Sequence, residues 1–573
     1  MIRLLLPMAI VCASCGCGEE GAARPEPAGS RGDWFVEVAA GVGIDFVHTP
    51  GATGEYYFPE IMGPGCALLD VDDDGDLDVY LIQGGSLGPG GRDAGRPSRN
   101  ALFRNELIAG GSGSGRLRFV DVTESSGAGG TGYGMGAATA DYDNDGDVDI
   151  YLTNFGPDVL LRNDGDGTFT DVTAGSGLGD PRWNTSATFL DFDADGWLDL
   201  FVAAYNDFTL ATHKECFLEG GARDYCNPKA YLPVPGVLYR NLGGSRFQDV
   251  TVTSGVDSAY GHGLGVAAAD FDGNGWIDLY VANDGDANQL WMNQDGSFTD
   301  RALISGSAFN EHGMAEAGMG IGAEDFDHDG DQDLFLTHLK GESNRLLENM
   351  GGGFFEDATT RSGLGLPSIP FTGFGVGWLD ADRDADLDLF IANGDVSKIE
   401  ELAGDPYPYH QTNQLMINRG EGKFEDGSAE AGSVLARSEV GRGAAFGDLD
   451  NDGDVDILVA NNNGPARLLR NDTREPGNWI ILRVMDGNLG RDAFGAIVRL
   501  TLADGRVLTR RVHTDGSYLS ASDPRVHLTW PASIGMRSLE IAAPSGTVTP
   551  VTGLSPGTIA TIAIDTGAPE DGR

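Results

Sequence analysis

The chain has 573 residues and a formal net charge of −49, from 38 Lys and Arg against 87 Asp and Glu. Such an excess of negative charge repels phosphate backbones, which argues against nucleic acid as a partner and makes divalent cations the natural counterions. With 87 glycines, 25 prolines and 22% charged residues, the composition favours many short strands joined by tight turns.

The N-terminal residues predict export. Arg3 precedes an apolar run, residues 4–11, that is too short to span a bilayer. We therefore interpret residues 1–17 as a signal peptide. No later segment of the sequence is long and apolar enough to predict a membrane span.

Residues 12–17, Cys-Ala-Ser-Cys-Gly-Cys, resemble a bacterial lipobox, in which small residues precede an acylated cysteine. Either Cys15 or Cys17 fits the modified position. Residues 18–32, rich in Gly, Ala and Pro, then form a flexible tether. We expect a lipoprotein that faces the periplasm or the cell exterior and meets the membrane through its lipid anchor only.

An acidic motif of nine residues, D-x-D-x-D-G-x-x-D, recurs along the chain. We number its copies loop 1 to loop 7, and they begin at Asp70, Asp141, Asp191, Asp270, Asp325, Asp380 and Asp448. Each copy leads directly into a β-branched, aliphatic or aromatic run such as Val79-Tyr80-Leu81-Ile82, which predicts a strand.

The spacing of the motif predicts a calcium site in each loop. Side chains at positions one, three, five and nine can converge on one cation, Gly at position six permits a sharp turn, and position seven contributes its backbone carbonyl. Oxygen donors at this density suit Ca²⁺ better than Mg²⁺, which keeps most of its waters. The proposed ligand residues are Asp70, Asp72, Asp74, Asp76 and Asp78; Asp141, Asp143, Asp145, Asp147 and Asp149; Asp191, Asp193, Asp195, Trp197 and Asp199; Asp270, Asp272, Asn274, Trp276 and Asp278; Asp325, Asp327, Asp329, Asp331 and Asp333; Asp380, Asp382, Asp384, Asp386 and Asp388; Asp448, Asp450, Asp452, Asp454 and Asp456.

Three features of the loops bear on this interpretation. Trp197 and Trp276 at position seven fit a position that uses only its backbone carbonyl. Position twelve is aliphatic in every copy, which excludes an EF-hand because that motif needs a bidentate Glu there. Loop 4 has Asn274 at position five, and loop 6 has Ala385 at the glycine position. We therefore expect up to seven Ca²⁺ ions, with the site at Asp380 the weakest. The alternative is that the aspartates form solvated turns without metal, but close carboxylates repel one another unless a cation lies among them.

Two further signatures recur seven times. The first signature is Leu-x-x-Asn, whose first copy begins at Leu102 and whose last copy ends at Asn471. The second is a short segment that opens with an aromatic residue, and its first copy begins at Phe35. Units of this size with several short strands cannot bury both faces alone, and a radial arrangement solves that problem. The sequence therefore predicts an all-β, seven-bladed propeller over residues 33–475, with a linear solenoid as the alternative. Residues 476–573 predict a small β domain, with a hairpin around Asp504-Gly505.

Export bears on the remaining cysteines. Cys216 and Cys226 lie in a polar insertion and predict a disulfide that would stabilise the loop by about 2 to 3 kcal/mol. Cys66, in an apolar run, predicts a buried thiol.

The repeats resemble the FG-GAP or VCBS repeats of integrin-α-like propellers, in which a calcium loop forms the turn of a strand hairpin. The last segment resembles the ASPIC/UnbV domain in Asn478-Trp479, in residues 488–496 (Asn-Leu-Gly-Arg-Asp-Ala-Phe-Gly-Ala), in Ser517-Tyr518-Leu519-Ser520 and in Pro544-Ser545-Gly546. Together these parts resemble the cartilage acidic protein family in its bacterial form.

Three hypotheses of function remain open: a binding module, an enzyme, and an accessory factor in natural-product or redox maturation, which only the resemblance to UnbV suggests. The sequence contains no metalloprotease, Walker or Cys-His catalytic motif, so it favours a binding or adhesion module for a surface glycan or protein. The longest insertions, residues 84–99, 206–235, 305–317 and 396–413, are the candidate contact loops and include Glu311, His312, Tyr407, Tyr409 and His410. The alternative is an extracellular polysaccharide lyase or hydrolase, since propellers host catalysis near their channel without diagnostic motifs.

Overall fold

The computed structural model describes residues 33–87, 99–108, 115–130, 132–218, 220–402, 404–473 and 477–567. The predicted signal peptide, lipid-modified cysteine and tether fall outside these residues. Strands dominate the described chain, and its helices have at most four residues. The prediction of an all-β fold is confirmed. No helix in the described ranges has the length and apolar character to cross a membrane.

Seven antiparallel four-stranded sheets each contain one acidic loop between their first and second strands. We call them blades 1 to 7. From the innermost strand outwards they are Cys66–Leu69, Asp78–Leu81, Ala101–Asn105 and Phe119–Asp121; Gly134–Ala140, Asp149–Asn154, Val159–Asn163 and Phe169–Asp171; Asn184–Leu190, Asp199–Ala204, Val237–Asn241 and Phe247–Asp249; Gly263–Ala269, Asp278–Asn283, Gln289–Gln294 and Ser297–Asp300; Ile321–Glu324, Asp333–Leu336, Arg345–Asn349 and Phe355–Asp357; Gly373–Leu379, Asp388–Asn393, Gln414–Asn418 and Phe424–Asp426; Gly441–Gly447, Asp456–Asn461, Arg467–Asn471 and Phe35–Glu37.

The innermost strands form a closed ring. Each packs against the innermost strand of the next blade, and the innermost strand of blade 7 packs against that of blade 1. Clusters of buried apolar side chains fill the spaces between neighbouring blades. The seven-bladed propeller is thereby confirmed, and the linear solenoid is excluded because its terminal units would not meet.

Blade 7 combines the two ends of the propeller sequence. Its outermost strand is Phe35–Glu37, with Phe35 opposite Asn471. Each aromatic opening therefore forms the fourth strand of one blade, and the acidic loop that follows it in the sequence belongs to the next blade. A sequence repeat is thus offset from a structural blade by one strand. This offset joins the two ends of the propeller sequence by backbone hydrogen bonds and so closes the ring at this seam.

Short helices and additional hairpins occupy the connections. The α-helical turns are Ala39–Val42, Pro59–Met62, Thr123–Ser126, Thr173–Ser176, Thr251–Ser254, Ala302–Ser305, Thr359–Ser362, Gly365–Ser368 and Ser428–Ala431, and the 3₁₀ turns are Leu210–Thr212, Pro228–Ala230, Glu400–Leu402 and Ser433–Ala436. Two further strand pairs are Cys216–Phe217 with Arg223–Asp224 and Gln411–Thr412 with Ser438–Glu439.

The C-terminal region forms two sheets around one apolar core. In the first sheet, Gly477–Asp486 lies between Val526–Pro531 and Thr558–Ile564. The second sheet has the order Val507–Arg511, Ile497–Leu502, Met536–Ala542 and Val548–Val551. The predicted hairpin is confirmed, with Thr501 paired to Val507.

This C-terminal domain is not a separate tail. Residues 514–523, which we call the channel segment, leave it and enter the central channel of the propeller. Their hydrogen bonds reach the innermost strands of all seven blades: Cys66 and Leu68, Ala137 and Thr139, Ser186, Ala268, Ile321, Val376, and Phe446. The channel is therefore filled by the chain's own backbone and side chains.

The two faces of the propeller differ. Since blade strands alternate in direction, all seven acidic loops lie on one face, here called the loop face. The described residues of the insertions 206–235, 305–317 and 396–413 join strands at the other ends of the blades and lie on the opposite insertion face. Residues 88–98 of the insertion 84–99 fall outside the described residues. The C-terminal domain covers the loop face, as the ion pair between Arg483 and Asp73 of loop 1 and the hydrogen bond from Thr529 to Asp380 of loop 6 illustrate.

Candidate metal centres

The seven acidic loops share one backbone conformation. Position six has a positive φ in every copy, between 83° and 100°, and Ala385 adopts it as the glycines do. Position four is also left-handed in every copy, a feature that the spacing of the motif did not predict. Only the frequent Asp, Asn and Gly at this position hinted at it, because these residues tolerate the left-handed region best. The position-four residues are Asp73, Asn144, Ala194, Gly273, His328, Arg383 and Asn451.

The position-one carboxylate closes the turn from inside. In loop 2, Asp141 accepts hydrogen bonds from the backbone N–H groups of Asp145 at 3.1 Å and Gly146 at 2.9 Å. Equivalent pairs occur in loops 1, 3, 4, 6 and 7. These bonds hold the carboxylate facing the centre of the loop.

The position-nine aspartate joins the loop to the blade. Asp149 accepts a hydrogen bond from the backbone N–H of Tyr142 at 3.2 Å and another from that of Asn163 at 2.8 Å. The same pair of bonds occurs in the other six loops. Asn163 is the last residue of a Leu-x-x-Asn signature, so the two recurring motifs meet at this carboxylate.

The amide side chains of that signature connect neighbouring blades. The Asn163 amide of blade 2 donates to the carbonyl of Val71 in loop 1 at 2.9 Å. Asn241, Asn293 and Asn349 repeat this contact around the ring, and the Asn105 amide of blade 1 reaches Leu449 in loop 7 at 3.0 Å. Loops 1, 2, 3, 4 and 7 are thus each held by their own blade and by the next one.

The carboxylates of a loop converge. In loops 2 to 5 the aspartates at positions one, three and nine each offer an oxygen within 4.8 Å of the others, and in loop 1 positions one, three and five do so. One buried oxygen of the position-three aspartate lacks any hydrogen-bond donor in five loops, at Asp72, Asp143, Asp193, Asp382 and Asp450, and both oxygens of Asp325 in loop 5 lack one. A buried carboxylate oxygen without a partner is costly, so these atoms fit cation ligands. The donor set is composed of oxygen atoms, which suits a hard divalent ion.

Burial also raises the pKa of these carboxyl groups. Desolvation brings the pKa of Asp141 to about 7, that of Asp278 to about 8 and that of Asp333 to about 9. Burial raises the pKa of Asp149 and Asp388 as well, with the neighbouring aspartates adding to the effect. A bound cation would remove this penalty, because it stabilises the ionised form.

The position-five and position-seven residues have less direct roles. In loop 3 the Asp195 side chain accepts the backbone N–H of Trp197 at 3.0 Å. In loop 4 Asn274 accepts the N–H of Trp276 at 2.7 Å, and its amide donates to the carbonyl of Asn293 at 3.0 Å. Loop 4 therefore keeps the turn of the others but has one carboxylate fewer.

The insertion face is fixed by internal contacts. Cys216 and Cys226 are joined by a disulfide within the insertion 206–235. The adjacent insertion 396–413 docks on it, since the Tyr409 hydroxyl donates to Asp224 at 2.8 Å. Of the residues singled out from the sequence, Glu311 and His312 are exposed, whereas Tyr409 is buried. Cys66 is buried in the core near blade 7, as expected.

A buried polar group that the sequence analysis missed lies on the same face. The Tyr205 hydroxyl donates to Asp284 at 2.6 Å, and His262 contacts Asp286 at 2.6 Å. The Tyr205, His262 and Asp284 side chains are buried, with 0%, 2% and 8% exposure. Tyr205, His262 and Asp284 are covered from solvent, whereas Asp286 is partly exposed.

Comparisons with known families match both parts of the chain. The FG-GAP-like repeat model matches residues 141–202, 270–336, 325–391 and 402–484, and the ASPIC and UnbV model matches residues 486–569. Cartilage acidic protein 1 of Homo sapiens is 27% identical over 289 residues, which cover 49% of this chain and 40% of that protein. The Xenopus tropicalis protein of the same name is 30% identical over 168 residues, 28% of this chain and 25% of that protein. The chain thus matches less than half the length of these relatives.

Among solved structures, YCF48 from Cyanidioschyzon merolae aligns over 73% of this chain and 97% of that chain. The sequence identity is 11% and the TM-score is 0.37. So low a score supports no conclusion about function.

Proposed function

We propose that this chain, which carries FG-GAP-like repeats followed by an ASPIC and UnbV domain and is homologous to cartilage acidic protein 1, is an exported, calcium-loaded binding module. Its propeller presents the insertion face to a glycan or protein at the cell surface. Its membrane contact is a lipid anchor at Cys15 or Cys17, and nucleic acid is not a partner. The cysteine-rich N-terminal sequence and the Cys216–Cys226 disulfide, which suits an oxidising compartment, support the export.

One observation carries the calcium part of the proposal. Buried carboxylate oxygens without hydrogen-bond donors recur at equivalent positions of the loops. Asp, Asn and backbone oxygens at this density match the irregular coordination of Ca²⁺ with six to eight ligands. The residues that would hold the ion are those at positions one, three, five and nine, with the carbonyl of position seven. Bound Ca²⁺ would neutralise the loops and make them rigid.

The insertion face is the better candidate for partner binding. The C-terminal domain docks on the loop face and the channel segment occupies the channel, so both surfaces are already engaged within the chain, and the clefts that remain there lie between the domain and the blades. The insertion 206–235 is held by its disulfide, and the insertion 396–413 is held to it by the hydrogen bond from Tyr409 to Asp224. Loops that are ordered before binding lose less conformational entropy when a partner docks, which favours affinity.

An extracellular carbohydrate-active enzyme is the second candidate. The group of Tyr205, His262, Asp284 and Asp286 on the insertion face favours it, because it combines a histidine, a tyrosine and carboxylates unconnected to the acidic loops. The burial of three of these side chains weighs against it, since a substrate would have to displace packed residues to reach them.

The test uses the soluble chain from residue 33 to residue 573. Elemental analysis of desalted protein should return up to seven Ca²⁺ per chain, and EGTA should lower the melting temperature. Glycan arrays and surface-protein capture, run with Ca²⁺ and with EGTA, should give binding that requires Ca²⁺. Absence of bound Ca²⁺, or an unchanged melting temperature in EGTA, would contradict the proposal. Depolymerisation of polysaccharides by the same sample would instead support the enzyme.

A further inference from the structure

We infer that the C-terminal domain is an intramolecular ligand of the propeller, and that its docking and cation binding by the acidic loops strengthen each other. This inference rests on the calcium part of the proposed function. It assigns to the ASPIC and UnbV domain the role of holding the metal loops in their binding shape.

The channel segment docks deep inside the propeller. The backbone N–H of Ser517 donates to Ile321 of blade 5 at 2.5 Å, and that of Ala521 donates to Cys66 of blade 1 at 3.0 Å. The N–H of Asp523 donates to Phe446 of blade 7 at 3.0 Å. The channel segment therefore adds main-chain hydrogen bonds to strands that face the channel, as a bound peptide does.

The middle of the channel segment, at Tyr518, reaches toward the insertion face. The Tyr518 ring packs edge-on against Phe374 with centroids 4.8 Å apart, and its hydroxyl donates to the carbonyl of Met62 at 3.2 Å. Phe374 lies at the start of the innermost strand of blade 6, whereas loop 6 follows the end of that strand. Tyr518 thus anchors the segment away from the acidic loops.

The C-terminal domain also contacts the acidic loops directly. Arg525 donates to the carbonyl of Asp448 at position one of loop 7 at 2.7 Å, and Arg506 donates to that of Asp384 at position five of loop 6 at 3.0 Å. Thr529 donates to the carboxylate of Asp380 at 2.6 Å. These acceptors are ligand residues or their carbonyls, so the contacts require the loop conformation that a cation would also require.

Docking of the C-terminal domain could either favour or oppose cation binding by the loops. Arginines near a cation site could oppose the cation, because like charges repel. However, Arg525 pairs with Asp523 and Arg506 with Asp504 within the C-terminal domain. These partners offset part of the arginine charge, although Arg506 also lies 3.9 Å from the carboxylate of Asp386 in loop 6. The shared requirement for one loop conformation then outweighs the repulsion between the arginines and the cation. Docking of the C-terminal domain and cation binding therefore favour each other. Linkage makes it reciprocal: Ca²⁺ tightens docking by the same factor by which docking tightens Ca²⁺.

Hydrogen exchange of the full chain measures docking directly. The amides of Ser517, Leu519, Ala521 and Asp523 all donate to blade residues, so they should be protected in Ca²⁺ and exchange at least about 5-fold faster in EGTA. Protection that is the same in Ca²⁺ and in EGTA, in a chain that binds Ca²⁺, would overturn the inference and leave the proposed function standing. A chain that binds no Ca²⁺ would instead overturn the proposed function.

The reciprocal arm uses Tyr518→Ala, which weakens docking without touching a loop. We expect it to lower the Ca²⁺ affinity measured by titration about 5-fold or more. Tyr409→Ala is the matched control, because Tyr409 is also buried, makes one hydroxyl hydrogen bond and lies outside the channel. Unchanged Ca²⁺ affinity in Tyr518→Ala, or an equal loss in both variants, would refute the coupling.

Discussion

At the scale of single residues, the acidic loops divide their carboxylates between structure and metal. In every loop except loop 5, the aspartates at positions one and nine both accept backbone N–H groups, so they would hold the turn even without an ion. Position three differs, since one of its oxygens is buried without a donor in five loops. The need for a cation is therefore greatest at position three.

Asp143→Asn should reverse its effect with the metal. In Ca²⁺ we expect a lower melting temperature and about one ion fewer per chain, because a charged ligand is lost. In EGTA we expect a higher melting temperature, because Asp145 and Asp149 no longer repel a third carboxylate. Calorimetry of both states checks this, with Asp257→Asn, an exposed residue outside the loops, as the control. A melting temperature that falls in both conditions would contradict a metal role for Asp143.

The raised pKa values predict a pH dependence of opposite sign with and without Ca²⁺. Burial raises the pKa of Asp141 to about 7 and that of Asp333 to about 9, from an ordinary value of 3.8. At pH values between the ordinary pKa of 3.8 and these raised pKa values, the folded, metal-free loops bind more protons than the unfolded chain. The free energy of unfolding therefore falls as the pH rises. In EGTA the melting temperature should therefore be lower at pH 8 than at pH 6. Saturating Ca²⁺ displaces the protons and should make pH 8 the more stable condition. A melting temperature in EGTA that increases with pH would refute this account.

At the scale of the element, loop 6 shows how packing modifies a local rule. The sequence predicts strain at Ala385, and the residue does adopt a φ of 83°. Its methyl group is fully buried in the apolar core of the C-terminal domain, however. The strain costs about 1 kcal/mol, and burial of a methyl group returns about 0.8 kcal/mol.

Two glycine substitutions separate these effects. Ala385→Gly should leave the free energy of unfolding nearly unchanged, because relief of strain and loss of packing cancel. Ala194→Gly, at position four of loop 3, should stabilise by about 0.5 to 1 kcal/mol, since Ala194 has a φ of 56° and an exposed side chain. Chemical denaturation in Ca²⁺ measures both. The prediction is wrong if Ala385→Gly stabilises the chain as much as Ala194→Gly does.

At the scale of the whole molecule, the ring is closed by contacts between distant parts of the chain. Phe35–Glu37 completes blade 7, and the Asn105 amide of blade 1 reaches loop 7. The channel segment then contacts every blade from inside. The propeller and the C-terminal domain are thus expected to unfold together.

Phe35→Ala tests the seam of the ring. Phe35 is 1% exposed in the core between blades 6 and 7, and deletion of such a ring costs about 3 to 5 kcal/mol. We expect a lower melting temperature and faster hydrogen exchange in the third strand of blade 7, Arg467–Asn471. Phe354→Ala, at a half-exposed phenylalanine of blade 5, should change neither. Unchanged exchange in Arg467–Asn471 would show that the N-terminal strand does not hold the seam.

The local features of this protein follow from its sequence pattern. The spacing of D-x-D-x-D-G-x-x-D predicts the loops, the apolar runs predict the strands, and seven copies predict the propeller, because each of these depends on residues close together in the chain. The cysteine spacing likewise predicted the Cys216–Cys226 bond that the structure contains.

The way in which the blades, the insertions and the C-terminal domain contact one another depends on the folded chain. The pairing of Phe35 with Asn471, the docking of the insertion 396–413 on the insertion 206–235 and the entry of residues 514–523 into the channel join segments far apart in the chain. The sequence Ser517-Tyr518-Leu519-Ser520 has no periodicity that marks it as a channel segment. Its partners are mainly backbone groups of seven strands, and backbone groups are the same in every sequence, so their arrangement exists only once the ring has formed.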